Sequence, residues 1–529
     1  MPVSAALRCC LLILGAGCAG LACAQSLANE AHVVQAHAVQ ASVQPDFSAL
    51  HRFMRDATGA DGYLGAVVLI AHEGRIVDFH AYGHRDLARR EPMRKDAIFR
   101  LYSMSKTIAS AAVMLLVEQG RIGLDDPVSR YLPELGHRQV LIGGSADAPR
   151  LRPANSEITI RELLTHTAGF AAGLKGDEAA TELMERNDPH AASDLRGFVE
   201  RLSHAPLAAD PGTRFGYDGA AIEVLGRVVE VVARQPFDAF LRERIFVPLG
   251  MRDTGFSVPA SQRGRVVDIT TMGDDGRLRI ADGPSAREPG AALNAYASGA
   301  GGLYSTACDY ARFAQVLLDG GAIAAKDSGF ALASSTGTGT GTGTASNCPH
   351  EATNLSDRHP FNSSFPRRRE SRDFNVAARK SLDSRLRGND GRKERGEPET
   401  TVEPTRRLLR AETVALMLRN QLSMLDPPVH QFNPGEGFGF GGSVVIDPVK
   451  RGQPGSIGRF GWPGAASTTY AIDPARRWVA IALLQHLPRG DVPRDLPRIS
   501  KDFYRLVDEA MAGASTSNTR DTTNPDATK

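Results

Sequence analysis

Hydrophobic and polar positions change period along this chain, and the changes mark its elements. From position 65 the run GAVVLIAHEGRIVDFHAYG alternates as a β-hairpin does, with its turn at Glu73-Gly74. The stretch KTIASAAVMLLVEQG is apolar on nearly every face, which predicts a buried helix, and Gly120 stands where a C-cap belongs. A helix-rich middle spans about 158–249, followed by loops and further helices to position 321. Strand patterning resumes at FGFGGSVVIDP, and GRFGWPGAASTTYAIDP with RWVAIALLQH reads as two adjacent strands. Strands at both chain ends with helices between predict an α/β fold with an all-α subdomain. The antiparallel sheet is then formed from both chain ends, with a helical insertion between them.

Two stretches fall outside this pattern. Residues 1–24 carry Arg8, then an apolar run closing on Ala22-Cys23-Ala24, which reads as a signal peptide cut near Ala24. The expected location is therefore periplasmic or secreted. Residues 324–404 pass through STGTGTGTGTAS into arginine-rich sequence, with twelve Lys/Arg against seven Asp/Glu between positions 358 and 399. Such sequence has little to bury and reads as a solvated, disordered insert. The expected organisation is a polar lead-in at 25–50, one domain over 51–323 and 405–512, and a disordered tail at 513–529.

Composition narrows the function. The 62 basic and 60 acidic residues of the 529 nearly cancel, so nothing global points to nucleic acid. No stretch after the leader is apolar for about 18 residues, so no membrane span is expected. Of six cysteines, four precede position 24, which leaves Cys308 and Cys348 and excludes a disulfide framework. No Cys/His cluster has ligand spacing, and no Gly-x-Ser-x-Gly elbow occurs; neither a metal nor a cofactor is expected. The sequence does not speak to oligomeric state.

The chemistry concentrates at Ser103-Met104-Ser105-Lys106, a Ser-x-x-Lys at the entrance of the buried helix. Only nine of the basic residues are lysines, so one here stands out. Three apart on a helix, Ser103 and Lys106 share a face. A serine at a helix start meets unpaired backbone N–H groups, and burial disfavours the charged form of an amine, which lets it accept a serine proton.

Six blocks then occur in order: IFRLYSMSKTIASAAVMLLVEQG, ITIRELLTHTAGF, PLAADPGTRFGYDGAAIEVLGRVVEVV, RERIFVPLGMRDTGF, GGLYSTACDYARFAQVLLDGG and GRFGWPGAASTTYAIDP. Together they resemble the serine β-lactamase-related hydrolases, which include class C β-lactamases, D-alanyl-D-alanine carboxypeptidases and, closest in motif, the family VIII carboxylesterases. The resemblance implies a catalytic tyrosine at Tyr217, beside Ser103 and Lys106. It departs at Gly219, where the family has the asparagine of Tyr-x-Asn. The Lys-Thr-Gly triplet is matched by Trp462-Pro463-Gly464, whose indole offers an apolar face in place of a cation. Gly464 then lets a substrate approach the backbone, and the Ala465 and Ser103 amides form an oxyanion hole. His166, in LLTHT, and Asp125-Asp126 read as structural. The implied function is an exported serine hydrolase with a small ester or amide substrate, most simply a carboxylesterase on neutral esters. The alternatives are a β-lactamase, a D-amino-acid peptidase, an oligo-amide hydrolase, or a catalytically decayed binding protein.

Overall fold

A computed structural model describes residues 44–323, 348, 406–424, 433–492 and 495–516. The signal peptide, the insert apart from Cys348, and positions 517–529 lie outside the described residues. The chain divides into two units, 1–46 with 509–529, and 47–508; the second carries the elements that follow, save the end of the last helix.

Its first helix, α1 (Ser48–Ala57), begins inside the stretch expected to be lead-in, because Leu50 and Met54, one turn apart, form a buried face that a short amphipathic segment hides among polar residues. Strands β1 (Gly65–His72) and β2 (Arg75–Gly83) follow as an antiparallel hairpin. Glu73 and Gly74 both have positive φ (49° and 75°), the requirement of a two-residue type I′ turn. Helix α2 (Ser105–Glu118) is buried at every position from Ser105 to Leu116, as its uniform apolarity predicts. Past its end Gly120 takes φ 67°, while the Arg121 and Gly120 amides donate back to Leu116 and Val117, a Schellman closure.

The helical middle includes α3 (Leu195–Ser203) and α4 (Ala220–Ala233), and α4 packs against α2 and α3. Then α5 (Ala307–Leu318) lies on the sheet, and its Cys308 is joined by a disulfide to Cys348. The two cysteines form no framework, but they do form one bond, which ties Cys348 to α5.

The C-terminal half supplies β3 (Glu436–Phe438), β4 (Ser443–Val445), β5 (Phe460–Pro463), β6 (Thr469–Asp473), β7 (Trp478–Leu483) and α6 (Ser500–Thr516). α6 runs past the boundary expected at 512. The strands form one antiparallel seven-stranded sheet in the order β2-β1-β7-β6-β5-β4-β3. The sheet is therefore completed by both chain ends. The last stretch holds three strands where two were expected, because 464–468 turns back on itself, with Ser467 at φ 63° and the Gly464 amide donating to the Thr468 carbonyl at 2.8 Å.

Candidate active site

Ser103 sits in a single 3-10 turn, Tyr102–Met104, that runs directly into α2. Tyr102, just before it, has φ 47°, a left-handed conformation rare for a bulky residue. This sharp entry presents Ser103 at the head of the helix, where the first amides have no partner within the helix. One turn on, Lys106 is buried, and its Nζ donates to Ser103 Oγ at 3.1 Å and to the Ala300 carbonyl at 2.7 Å.

Tyr217 lies on the irregular segment leading into α4. The Gly216 amide fixes that segment by donating to the His166 carbonyl at 2.8 Å. Lys106 Nζ stands 5.0 Å from the centre of the Tyr217 ring, within cation–π range. The Trp462 indole N–H donates to the Tyr217 hydroxyl at 2.9 Å, with the rings 5.0 Å apart. Phe438 meets Trp462 edge-on at 5.1 Å and Phe215 at 5.3 Å, extending an aromatic shelf. Ser103, Tyr217, Trp462, Pro463, Gly464 and Ala465 all line one cavity of about 560 Å³. The structure thus brings five of the six site residues expected from the sequence to one cavity, with the sixth, Lys106, behind Ser103.

Gly464 has a different reason from the one expected. A Cβ there would lie 2.3 Å from the Leu101 carbonyl oxygen and 2.2 Å from Thr468 Oγ1, so the close approach is to the chain's own backbone. Thr468 Oγ1 also donates to the Leu101 carbonyl at 3.2 Å. The β5–β6 turn is therefore stitched to the segment that carries Ser103. The Ala465 amide, exposed in that turn, has no hydrogen-bond partner among the described residues.

His166 is fully buried, with Nδ1 3.3 Å from an Asp218 oxygen and its ring 4.8 Å from that of Tyr217. Burial pushes its basicity down, so it stands as a neutral ring behind the tyrosine. Asp126 accepts the Gly123 amide and Asp125 pairs with Arg161, as turn residues do. Gly219 starts α4, and a Cβ there would make only ordinary contact with Ala300 at 3.6 Å, so space does not explain the glycine.

Two features escaped the sequence reading. The 298–300 loop supplies the carbonyl that holds Lys106. Glu223, buried on α4, holds that loop by accepting from the Ser298 hydroxyl and, at 3.1 Å, from the Gly299 amide. Burial raises the Glu223 carboxyl to about 7, against the opposing pull of Ser298 and of the Lys106 charge. The available signals were a glutamate flanked by apolar residues in AAIEVLG and the small-residue run ASGAGG, which overlaps the start of a family-like block. No imidazole, thiol or carboxylate donates to or accepts from Ser103 or Lys106 among the described residues.

Comparison with known proteins now adds to the geometry. The family model described as Beta-lactamase matches residues 50–353, more than half the chain. The chain belongs to the β-lactamase family. It is a serine hydrolase of that family. Protein Rv1367c of Mycobacterium tuberculosis (strain ATCC 25618 / H37Rv) is 30% identical over 446 residues, covering 82% of this chain and 89% of the relative. Esterase EstB of Burkholderia gladioli is 35% identical over 270 residues, 47% of this chain and 64% of that protein. Among solved structures, that of EstCE1, a hydrolase with promiscuous acyltransferase activity, superimposes with TM-score 0.59 at 24% identity, covering 88% of this chain and 98% of that one. This likeness establishes the β-lactamase fold for the seven-stranded sheet and its helices.

Proposed function

We propose that this serine hydrolase is an exported carboxylesterase acting on small neutral esters through an acyl-enzyme on Ser103. The observation that carries the reading is the Lys106–Ser103 hydrogen bond at 3.1 Å beside an indole-capped tyrosine. Ser103 Oγ attacks the ester carbonyl while its proton passes to Lys106 Nζ. The developing oxyanion lies between the Ser103 and Ala465 amides. Because Tyr217 accepts from Trp462, its own O–H remains free to protonate the departing alkoxide, and the Lys106 charge over its ring eases that transfer. Water then attacks the acyl-Ser103 ester, giving a proton to the Tyr217 phenolate, and Lys106 returns its proton to Ser103 Oγ as the acid leaves.

Trp462, half-buried on Phe438, presents an apolar surface where a cation would recognise a carboxylate, which favours neutral esters over β-lactams and peptides. Export is supported by the apolar leader at 1–24 and by the Cys308–Cys348 bond, since disulfides persist in oxidising compartments.

Fluorophosphonate labelling of the purified protein, with Ser103→Ala as control, tests the nucleophile. Wild type should label stoichiometrically and the variant not at all; equal labelling would refute the assignment. A p-nitrophenyl ester assayed beside a chromogenic cephalosporin tests the substrate class. Turnover of the cephalosporin at the ester's rate would make the protein a β-lactamase instead.

A further inference from the structure

A second cluster of chemistry-bearing side chains stands outside the cleft, on α1 and the sheet-edge strand β2. Side chains alternate along a strand, so Asp78, His80 and Tyr82 share one face of β2, while Phe79 on the other joins the core. Helix α1 adds His51 to that face. Asp78 Oδ1 accepts from His51 Nε2 at 2.9 Å and from His80 Nδ1 at 2.8 Å. The ring centroids are 4.2 Å apart, and the three donor atoms lie within 4.8 Å of one another. This is the one group of three or more such donors among the described residues.

An independent observation says the cluster is incomplete. The Asp78 side chain is 4% exposed, and its second oxygen, Oδ2, is buried without a hydrogen-bond partner among the described residues. A buried carboxylate oxygen left unpaired is costly, and such an orphan calls for a ligand. The neighbouring Tyr82 hydroxyl is also buried and unpartnered. Two orphaned polar atoms beside two imidazoles mark a place built to receive something positive.

We propose that His51, Asp78 and His80 form a binding site for a divalent transition metal of the zinc class, held by His51 Nε2, His80 Nδ1 and the Asp78 carboxylate. Two imidazoles and a carboxylate form a borderline donor set suited to zinc, with a fourth position left for water. Binding is an exchange within the cluster. The protons that the two rings now direct at Asp78 move to their opposite nitrogens, and the freed lone pairs turn to the metal. Bonds of about 2.0–2.1 Å need the donor atoms roughly 3.3 Å apart, so rotation of the half-exposed His80 ring is enough to close the set. His80 also gives the ion its way in. The metal would clamp α1 to β2 without touching Ser103, so it acts on stability rather than on chemistry.

The test is zinc titration of the metal-stripped full chain by calorimetry, with cobalt(II) absorption as a report of coordination. The chain has 14 histidines, so an exposed one, as His204→Ala, serves as control. Wild type and the control should bind one zinc per chain and melt at a higher temperature with zinc present. His51→Ala and His80→Ala should each bind at least about tenfold more weakly, and the double variant should lose both the binding and the melting shift. Retained ester hydrolysis in the variants certifies that they are folded, and His80→Ala, at a half-exposed position, is the one least able to disturb the fold. Zinc bound by the double variant as by wild type, or no saturable binding by wild type, would overturn the proposal.

Discussion

The two walls of the cleft are built on different terms. The wall around Lys106 is a chain of buried polar contacts: Glu223 to the 298–300 loop, Ala300 to Lys106, Lys106 to Ser103. Lys106 and Glu223 have been taken from water and must find their partners inside the protein, which narrows the arrangements open to them. The wall around Trp462–Ala465 works by backbone and shape, with Gly464 pressed on Leu101, an aromatic shelf behind and one exposed amide. The first wall fixes proton positions through its buried partners; the second is open to change wherever the backbone is not used.

The largest effects should come from the polar wall. Lys106→Ala and Tyr217→Phe should each lower kcat/KM on a p-nitrophenyl ester by about 10²–10⁴, with the fold intact by circular dichroism. A loss under tenfold in either would break the division of labour drawn here. On the other wall, Ala465→Pro deletes a proposed oxyanion donor and should cost about 3 kcal/mol, roughly a hundredfold in kcat. Unchanged turnover would remove Ala465 from the mechanism.

Glu223 sharpens the contrast through stability. Its folded carboxyl, at about 7, holds its proton to higher pH than in the unfolded chain, where about 4.5 is ordinary. Its contribution is therefore fully present below about 4.5 and is lost as pH rises through about 7. Glu223→Gln removes that dependence. The difference in stability between wild type and variant should shift by about 3 kcal/mol across this window, wild type losing ground as pH rises. Parallel pH–stability curves would show that the carboxyl is not perturbed.

The same contrast explains what could be read beforehand. α2 and the hairpin were legible because burial on all faces, the unbroken apolar run of β1 and the Glu73-Gly74 turn are properties of contiguous residues. The residues that line the cleft were named from short blocks in a fixed order. Glu223 was not, because a single glutamate on a helix reads as a solvated position until the opposing loop is known. The reason for Gly464 was equally hidden, since Leu101 lies more than 300 positions away and only the fold brings the two together. The His51–Asp78–His80 cluster escaped for the same reason: Asp78 and His80 stand two apart on β2, but His51 comes from α1 and joins them only in the fold.

The smallest effect is the most exacting check of the second wall. In the β5–β6 ladder Trp462 faces Tyr470, and the Gly464 amide donates to Thr468. Amides two apart point the same way along a strand, so those of Trp462 and Gly464 face β6 while position 463 faces the other side. On that side β4 has already ended, its last partner being Ser443 opposite Gly461. Pro463 thus lacks an N–H only where no ladder bond was available, the one setting in which a strand accepts proline without loss. Pro463→Thr should therefore leave ester hydrolysis within about threefold and the melting temperature nearly unchanged, while Ala465→Pro, two residues on, is crippling. If both substitutions are equally harmful, the turn tolerates no change at all, and the Ala465 amide loses its special place. If both are harmless, the oxyanion is held elsewhere.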